Sequence, residues 1–161
     1  MSLNDYRFRD LWSVRATAAR AFDALVDLAS YPDWWPDIRS VTRIDDDTAE
    51  VVCRSTLPYA LTFRLHRAVE DPDRGRMRVD MTGDLEGYVQ GIVAEHGKVG
   101  ALLAISQRVV VTKPLLRALA PVARPLFRAN HALMMWRGQR GFRAYLAVQS
   151  VQQTREGGGN L

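Results

Sequence analysis

Between residues 41 and 111 the chain repeats one pattern: a short run in which apolar and polar residues alternate, then a turn. The clearest instance sets Tyr59, Leu61, Phe63 and Leu65 against Thr62, Arg64 and His66. The turn Glu70-Asp71-Pro72-Asp73-Arg74-Gly75 follows, and then Met77, Val79 and Met81 alternate with Arg76, Arg78 and Asp80. A period of two belongs to a strand with one buried face and is incompatible with a helix. Read this way, strands run over Val41–Ile44, Ala49–Leu57, Tyr59–Val69, Arg76–Thr82, Leu85–Ala94 and Ala101–Val111, and Tyr6–Val14 adds one more at the start. Connections such as Asp45-Asp46-Asp47 and the turn around Gly97 and Gly100 are too short for parallel crossovers, so the sheet is expected to be antiparallel.

A sheet with one apolar face needs a cover. After Thr17, a plausible N-cap, Ala21, Leu25 and Leu28 recur at helical spacing with Phe22 and Val26 beside them. The segment Tyr31-Pro32-Asp33-Trp34-Trp35-Pro36 breaks that helix and suits only a short helical turn, so two short helices separate strands one and two. Near the C-terminus, Thr112 and Pro114 open a short helix over Leu115–Leu119. Pro121 and Pro125 argue for a break, and a long helix is expected from about Pro125 to Val148. It is the only element long enough to cover the sheet. The expectation is an α+β fold of about seven antiparallel strands gripping a C-terminal helix, with residues 1–150 as one domain and 151–161 as a disordered polar, Gly-rich tail.

Several function classes are disfavoured. No apolar run approaches the roughly 20 residues of a membrane helix, and Met1–Val14 holds no secretory apolar stretch, which points to a cytoplasmic setting. Cys53 is alone, which rules out an intramolecular disulfide and a cysteine metal cluster. His66, His96 and His131 lack metal-ligand spacing, and no phosphate-binding or nucleotide-binding glycine motif is present, so neither a metal nor a cofactor is expected. The net charge of +4 divides unevenly, with eight basic residues and one acid in 112–161. Arg117, Arg124 and Arg128 fall near one helical face. No recognition motif accompanies them, so nucleic acid is not an expected partner. A solvated face is the plain reading, and peripheral contact with anionic headgroups stays open.

The element order, together with Tyr31-Pro32-Asp33-Trp34-Trp35-Pro36, Gly83-Asp84-Leu85-Glu86-Gly87, Thr112-Lys113-Pro114-Leu115-Leu116-Arg117, Ala120-Pro121-Val122-Ala123-Arg124-Pro125 and Asn130-His131, resembles the START-like (Bet v 1-like, SRPBCC) superfamily of polyketide cyclase/dehydrase and lipid-transport proteins, in a bacterial branch. The resemblance implies the helix-grip fold and a deep cavity between sheet and long helix for an apolar or aromatic small molecule. It implies no single chemistry, since members include lipid carriers, aromatase/cyclases and hormone receptors. Two positions depart from the pattern: Gly91 stands where a bulky aromatic is expected, and Gly100-Ala101 where Gly-Thr is common. The first is expected to widen the cavity.

Candidate site residues follow from parity and helical phase. His131 lies one turn from Phe127 and Met134 and beside Asn130; it is either a general base or ligand-orienting group, or a helix histidine bonded to backbone or a surface carboxylate. Tyr59 shares the inward face of Leu61 and Phe63, so its hydroxyl meets either a ligand or the backbone. Gln107 shares the parity of Leu103, Ile105 and Val109 and needs partners if buried. Phe63, Met77, Met81, Phe127 and Met134 would supply apolar wall, or simply core. Trp34 and Trp35 divide between core and cavity mouth, Asp84 and Glu86 point outward into salt bridges, and Gly138 and Gly141 let the long helix approach helix one or the sheet. The leading reading is a binder of a hydrophobic small molecule, lipid-like or polycyclic and aromatic, as monomer or homodimer. The alternatives are a cyclase, aromatase or dehydrase in which His131 takes a proton and Tyr59 donates one, and an interaction protein that docks through its arginines.

Overall fold

In the computed structural model, which describes residues 3–158, the alternating runs pair into one seven-stranded antiparallel sheet. Strand β1 covers Asp5–Val14, β2 Ile38–Arg43, β3 Thr48–Arg54, β4 Ala60–Asp71, β5 Arg76–Gly83, β6 Leu85–His96 and β7 Gly100–Val111. Strands β2 to β7 form a simple meander, and β1 closes it by pairing with β7, giving the order β1-β7-β6-β5-β4-β3-β2. Because β1 and β2 end up on opposite edges, the chain between them must cross the sheet. It does so through α1 (Ala18–Val26), a 3-10 turn (Leu28–Ser30) and α2 (Tyr31–Trp34). Thr17 caps α1, its Oγ1 accepting the Arg20 N–H at 3.2 Å, and α1 buries Ala21, Phe22, Ala24 and Leu25.

The register lays residues from different strands in rows across the inner face. Phe8 pairs with Gln107, Gln107 with Val89, and Val89 with Val79, so the Gln107 amide stands in an otherwise apolar row. Asp84 does face away from this side: it accepts the Thr62 N–H at 3.0 Å and lies 3.8 Å from Lys113 Nζ.

The C-terminal segment differs from expectation in two ways. After α3 (Pro114–Ala118), one helix, α4, runs from Ala120 to Gly157 without a break at Pro125. Pro121 sits in the first turn, where its missing N–H has no helical partner to lose. Pro125 then forfeits one hydrogen bond near the helix start, which the rest of a 38-residue helix tolerates. Of the tail expected to be disordered over 151–161, residues 151–157 form the last two turns of α4, and 159–161 lie outside the described residues. No described helix is long and apolar enough to cross a membrane.

Helix α4 covers the sheet and packs Met135, Phe142 and Leu146 into the core. Two glycines let it come close, but to α2 rather than to α1 or the sheet. A Cβ on Gly141 would stand 1.6 Å from the Trp34 carbonyl oxygen, and one on Gly138 2.6 Å from the Trp35 ring. The arginine face is also not a continuous solvated stripe. Arg124 turns inward, donating to the Leu3 carbonyl at 2.6 Å and lying over the Tyr6 ring at 4.6 Å. Arg143 donates to the Ser13 carbonyl at 2.7 Å, and Arg20 of α1 reaches the Leu146 carbonyl at 3.2 Å. These guanidiniums fasten α4 to the two ends of β1 and to α1.

Candidate functional site

The face of α4 that meets the sheet repeats at three- and four-residue steps: Phe127, Asn130, His131 and Met134. Opposite it stand the inward residues of β3 to β7. Between the two surfaces lies a cavity of about 170 Å³. Every candidate lining residue named from the sequence faces it: Tyr59 just ahead of β4, Phe63 on β4, Met77 and Met81 on β5, Gln107 on β7, and Phe127, Asn130, His131 and Met134 on α4. The wall contains no Asp, Glu, Lys or Arg.

The polar groups in that wall differ in how they are satisfied. His131 stacks flat on Phe8, with ring centroids 3.5 Å apart and planes 9° from parallel. Its Nε2 lies 3.4 Å from the Gln107 Oε1, so the tautomer with hydrogen on Nε2 donates to that oxygen. Burial with no carboxylate nearby lowers the imidazole pKa to about 4, leaving it neutral at pH 7. The Gln107 amide nitrogen points to the Met135 sulfur at 3.4 Å. The Tyr59 ring stacks beside Phe127 at 6.0 Å, and burial pushes its hydroxyl up to about 12. That hydroxyl and the Asn130 Oδ1 are buried and have no hydrogen-bond partner among the described residues. Cys53, also on the wall, is a buried thiol 3.8 Å from the Met134 sulfur and is pushed up to about 12, so it is an inert apolar group.

The aromatic end of the cavity was only partly anticipated. Trp34 is buried and Trp35 half-buried, and both reach the cavity; Trp35 Nε1 donates to the Met134 carbonyl at 3.0 Å. Tyr6, Phe8 and Trp12 of β1 complete this wall. Their even-numbered spacing on one strand was the available signal. Tyr31 is satisfied internally, donating to the Leu25 carbonyl at 2.5 Å. Gly91 does not simply widen the space. A Cβ there would meet Leu25 Cδ2 at 3.1 Å and Met77 Cγ at 3.2 Å, so its missing side chain makes room for those two.

An ion pair beside the cavity, with a buried carboxylate and a half-buried guanidinium, has no signal in the sequence. Arg137 of α4 grips Asp37 with two hydrogen bonds of 2.9 and 2.6 Å, and reaches Ser55 Oγ at 2.9 Å. Asp37 is only 2% exposed. The pair ties α4 to the start of β2 and to the segment after β3, where Ser55 and Leu57 also line the cavity.

Among solved structures, the Zhui aromatase/cyclase from Streptomyces sp. R1128 is 13% identical, with a TM-score of 0.76 over 89% of this chain and 94% of that one. A protein from Thermus thermophilus is 14% identical, with a TM-score of 0.78 over 90% and 99%. A START superfamily protein from Mycobacterium smegmatis is 14% identical, with a TM-score of 0.70 over 89% and 98%. At such identities the likeness is one of fold, and it is the helix-grip fold. A search of curated proteins found no match. The family model for polyketide cyclase / dehydrase and lipid transport matches residues 14–134, from the end of β1 through β7 and into α4 as far as Met134. The chain belongs to the polyketide cyclase / dehydrase and lipid transport family.

Proposed function

We propose that the chain binds an uncharged, largely apolar small molecule in this cavity and holds one polar group of it with Tyr59 and Asn130. The observation that carries this reading is the pair of unpaired buried atoms, Tyr59 Oη and Asn130 Oδ1, in a wall otherwise free of charge. Buried polar atoms are nearly always paired, so these two call for a partner that the chain itself does not supply. Asn130 Oδ1 accepts and the Tyr59 hydroxyl donates or accepts, which suits a hydroxyl or amide group on the ligand. A charged ligand would find no counter-charge, since the wall has no ionic side chain and His131 is neutral. An apolar cavity of about 150 Å³ accommodates benzene, so 170 Å³ admits one or two aromatic rings, with Met77, Met81, Met134 and Met135 able to yield for more.

Catalysis by proton transfer in the same cavity is less well supported. General acids and bases work best with pKa values near the working pH. His131 at about 4 is a weak base and Tyr59 at about 12 a weak acid, so burial moves each away from that role.

Titration with naphthalene, naphthol and naphthoate tests the reading. The expected order is naphthol tightest, by about tenfold over naphthalene for one hydrogen bond, with naphthoate not bound. Tyr59→Phe should reduce the preference for naphthol while leaving the empty protein as stable or slightly more so, because the lost hydroxyl had no partner, and Tyr59→Phe with Asn130→Ala should erase it. Naphthoate binding as well as naphthol, or a preference that survives in the double variant, would refute the assignment.

A further inference from the structure

The side of α4 turned away from the cavity carries a second apolar surface. Val122, Leu126, Ala129, Leu133 and Trp136 recur at steps of four and three, which places them on one helix face. All are exposed, Val122 at 86%, Leu126 at 56% and Trp136 at 51%, and Leu119 extends the row at the helix start. Contiguous open apolar surface of this kind marks a place where something docks.

Charge selects the occupant. From Lys113 to Arg155 the sequence contains no Asp or Glu. Arg117, Arg128 and Arg140 are exposed, and none has a carboxylate partner among the described residues. Arg140 lies over the Trp136 ring at 4.7 Å, so cation and indole form one unit at the end of the row. If two copies paired along this face, their arginines would meet with no carboxylate along the row to answer them, since the one acid of α4, Glu156, lies at its far end, and like charges at an interface cost affinity. An anionic lipid surface answers both features: the apolar row enters the headgroup and acyl boundary, and the guanidiniums meet phosphate. An exposed tryptophan suits that depth, with an apolar body and a polar N–H.

We infer that α4 lies along an anionic lipid surface through Val122, Leu126, Leu133 and Trp136, with Arg117, Arg128 and Arg140 at the level of the headgroups. The same stretch of helix lines the cavity on its inner side, so a single helix thickness separates the lipid surface from the cavity.

Co-sedimentation of the full chain with vesicles tests this. Vesicles of mixed phosphatidylcholine and phosphatidylglycerol should carry the protein down at low salt, and phosphatidylcholine alone should do so far less. Leu126→Gln with Leu133→Gln keeps every charge and alters only exposed positions. It should leave the circular dichroism spectrum and melting temperature unchanged and weaken vesicle binding by about tenfold or more. Arg128→Gln with Arg140→Gln should weaken the preference for phosphatidylglycerol, and adding Arg117→Gln should remove it. Brominated phosphatidylglycerol should quench tryptophan emission in the wild type, and Trp136→Phe should abolish that quenching. The inference is overturned if phosphatidylglycerol vesicles do not bind the chain, or if the double leucine variant binds them like wild type. It is equally overturned if light scattering shows a dimer that this variant splits, because a second copy would then cover the face.

Discussion

The neutral state of His131 predicts a specific acid sensitivity. Its imidazole is held at about 4 by burial against Phe8 in a wall with no carboxylate, whereas in the unfolded chain it returns to about 6.5. Below pH 6.5 the unfolded chain takes up a proton that the folded chain refuses until about pH 4. Stability therefore falls as the pH drops through this window and levels off below it. A shift of this size corresponds to about 2 to 3 kcal/mol between pH 7 and 4.5. Carboxylates also titrate at the lower end, so the informative quantity is a difference. Urea unfolding of wild type and His131→Gln should be compared at half-unit steps of pH. The wild type should lose about 2 to 3 kcal/mol more than the variant over the window. Parallel stability curves would show that the imidazole is not buried uncompensated in the folded state, and the account of the wall as uncharged would fail with it.

The Arg137–Asp37 pair gives a second prediction: Arg137→Ala leaves a 2% exposed carboxylate without its partner and should cost about 3 kcal/mol or more in chemical denaturation. Two glycines of α4 should behave oppositely. Gly141→Ala drives a methyl into the Trp34 carbonyl and should cost about 3 kcal/mol or more, or prevent folding. Gly157→Ala, whose Cβ meets nothing, should change the melting point little, with an effect below about 1 kcal/mol. Gly91→Trp must displace Leu25 and Met77 from the cavity wall, so naphthol binding measured by titration should be lost.

The sheet was legible because its signal is local. Strict alternation in β4 and β5 assigns Phe63, Met77 and Met81 to the inner face with no knowledge of what lies opposite. The inward face of α4 was legible for a similar reason: Phe127, Asn130, His131 and Met134 share a helical phase. What escaped depends on contacts between distant segments. Nothing near Asp37 in the sequence announces Arg137, and nothing near Gly141 announces the Trp34 carbonyl. Of Arg117, Arg124 and Arg128, which helical phase places near one face, only Arg124 leaves the solvent, because phase locates a side chain but does not say what carbonyl lies within its reach; Arg124 meets those of Leu3 and Asp5. Pro125 does not break α4 because only one hydrogen bond near the helix start is at stake there.

The pairing of β1 with β7 has a consequence for how the molecule comes into being. Asp5 pairs with Val110 and Val14 with Ala101, so within this sheet β1 has no partner until β7, the strand farthest from it in sequence, is in place. Contacts so far apart in sequence form late, after the intervening hairpins have shortened the loop to be closed. Strand β1 brings Tyr6, Phe8 and Trp12, the last aromatic wall of the cavity, and its two ends receive Arg124 and Arg143 of α4. The meander alone therefore presents only an open half-site, and the cavity is enclosed only where β1 and α4 are both in place.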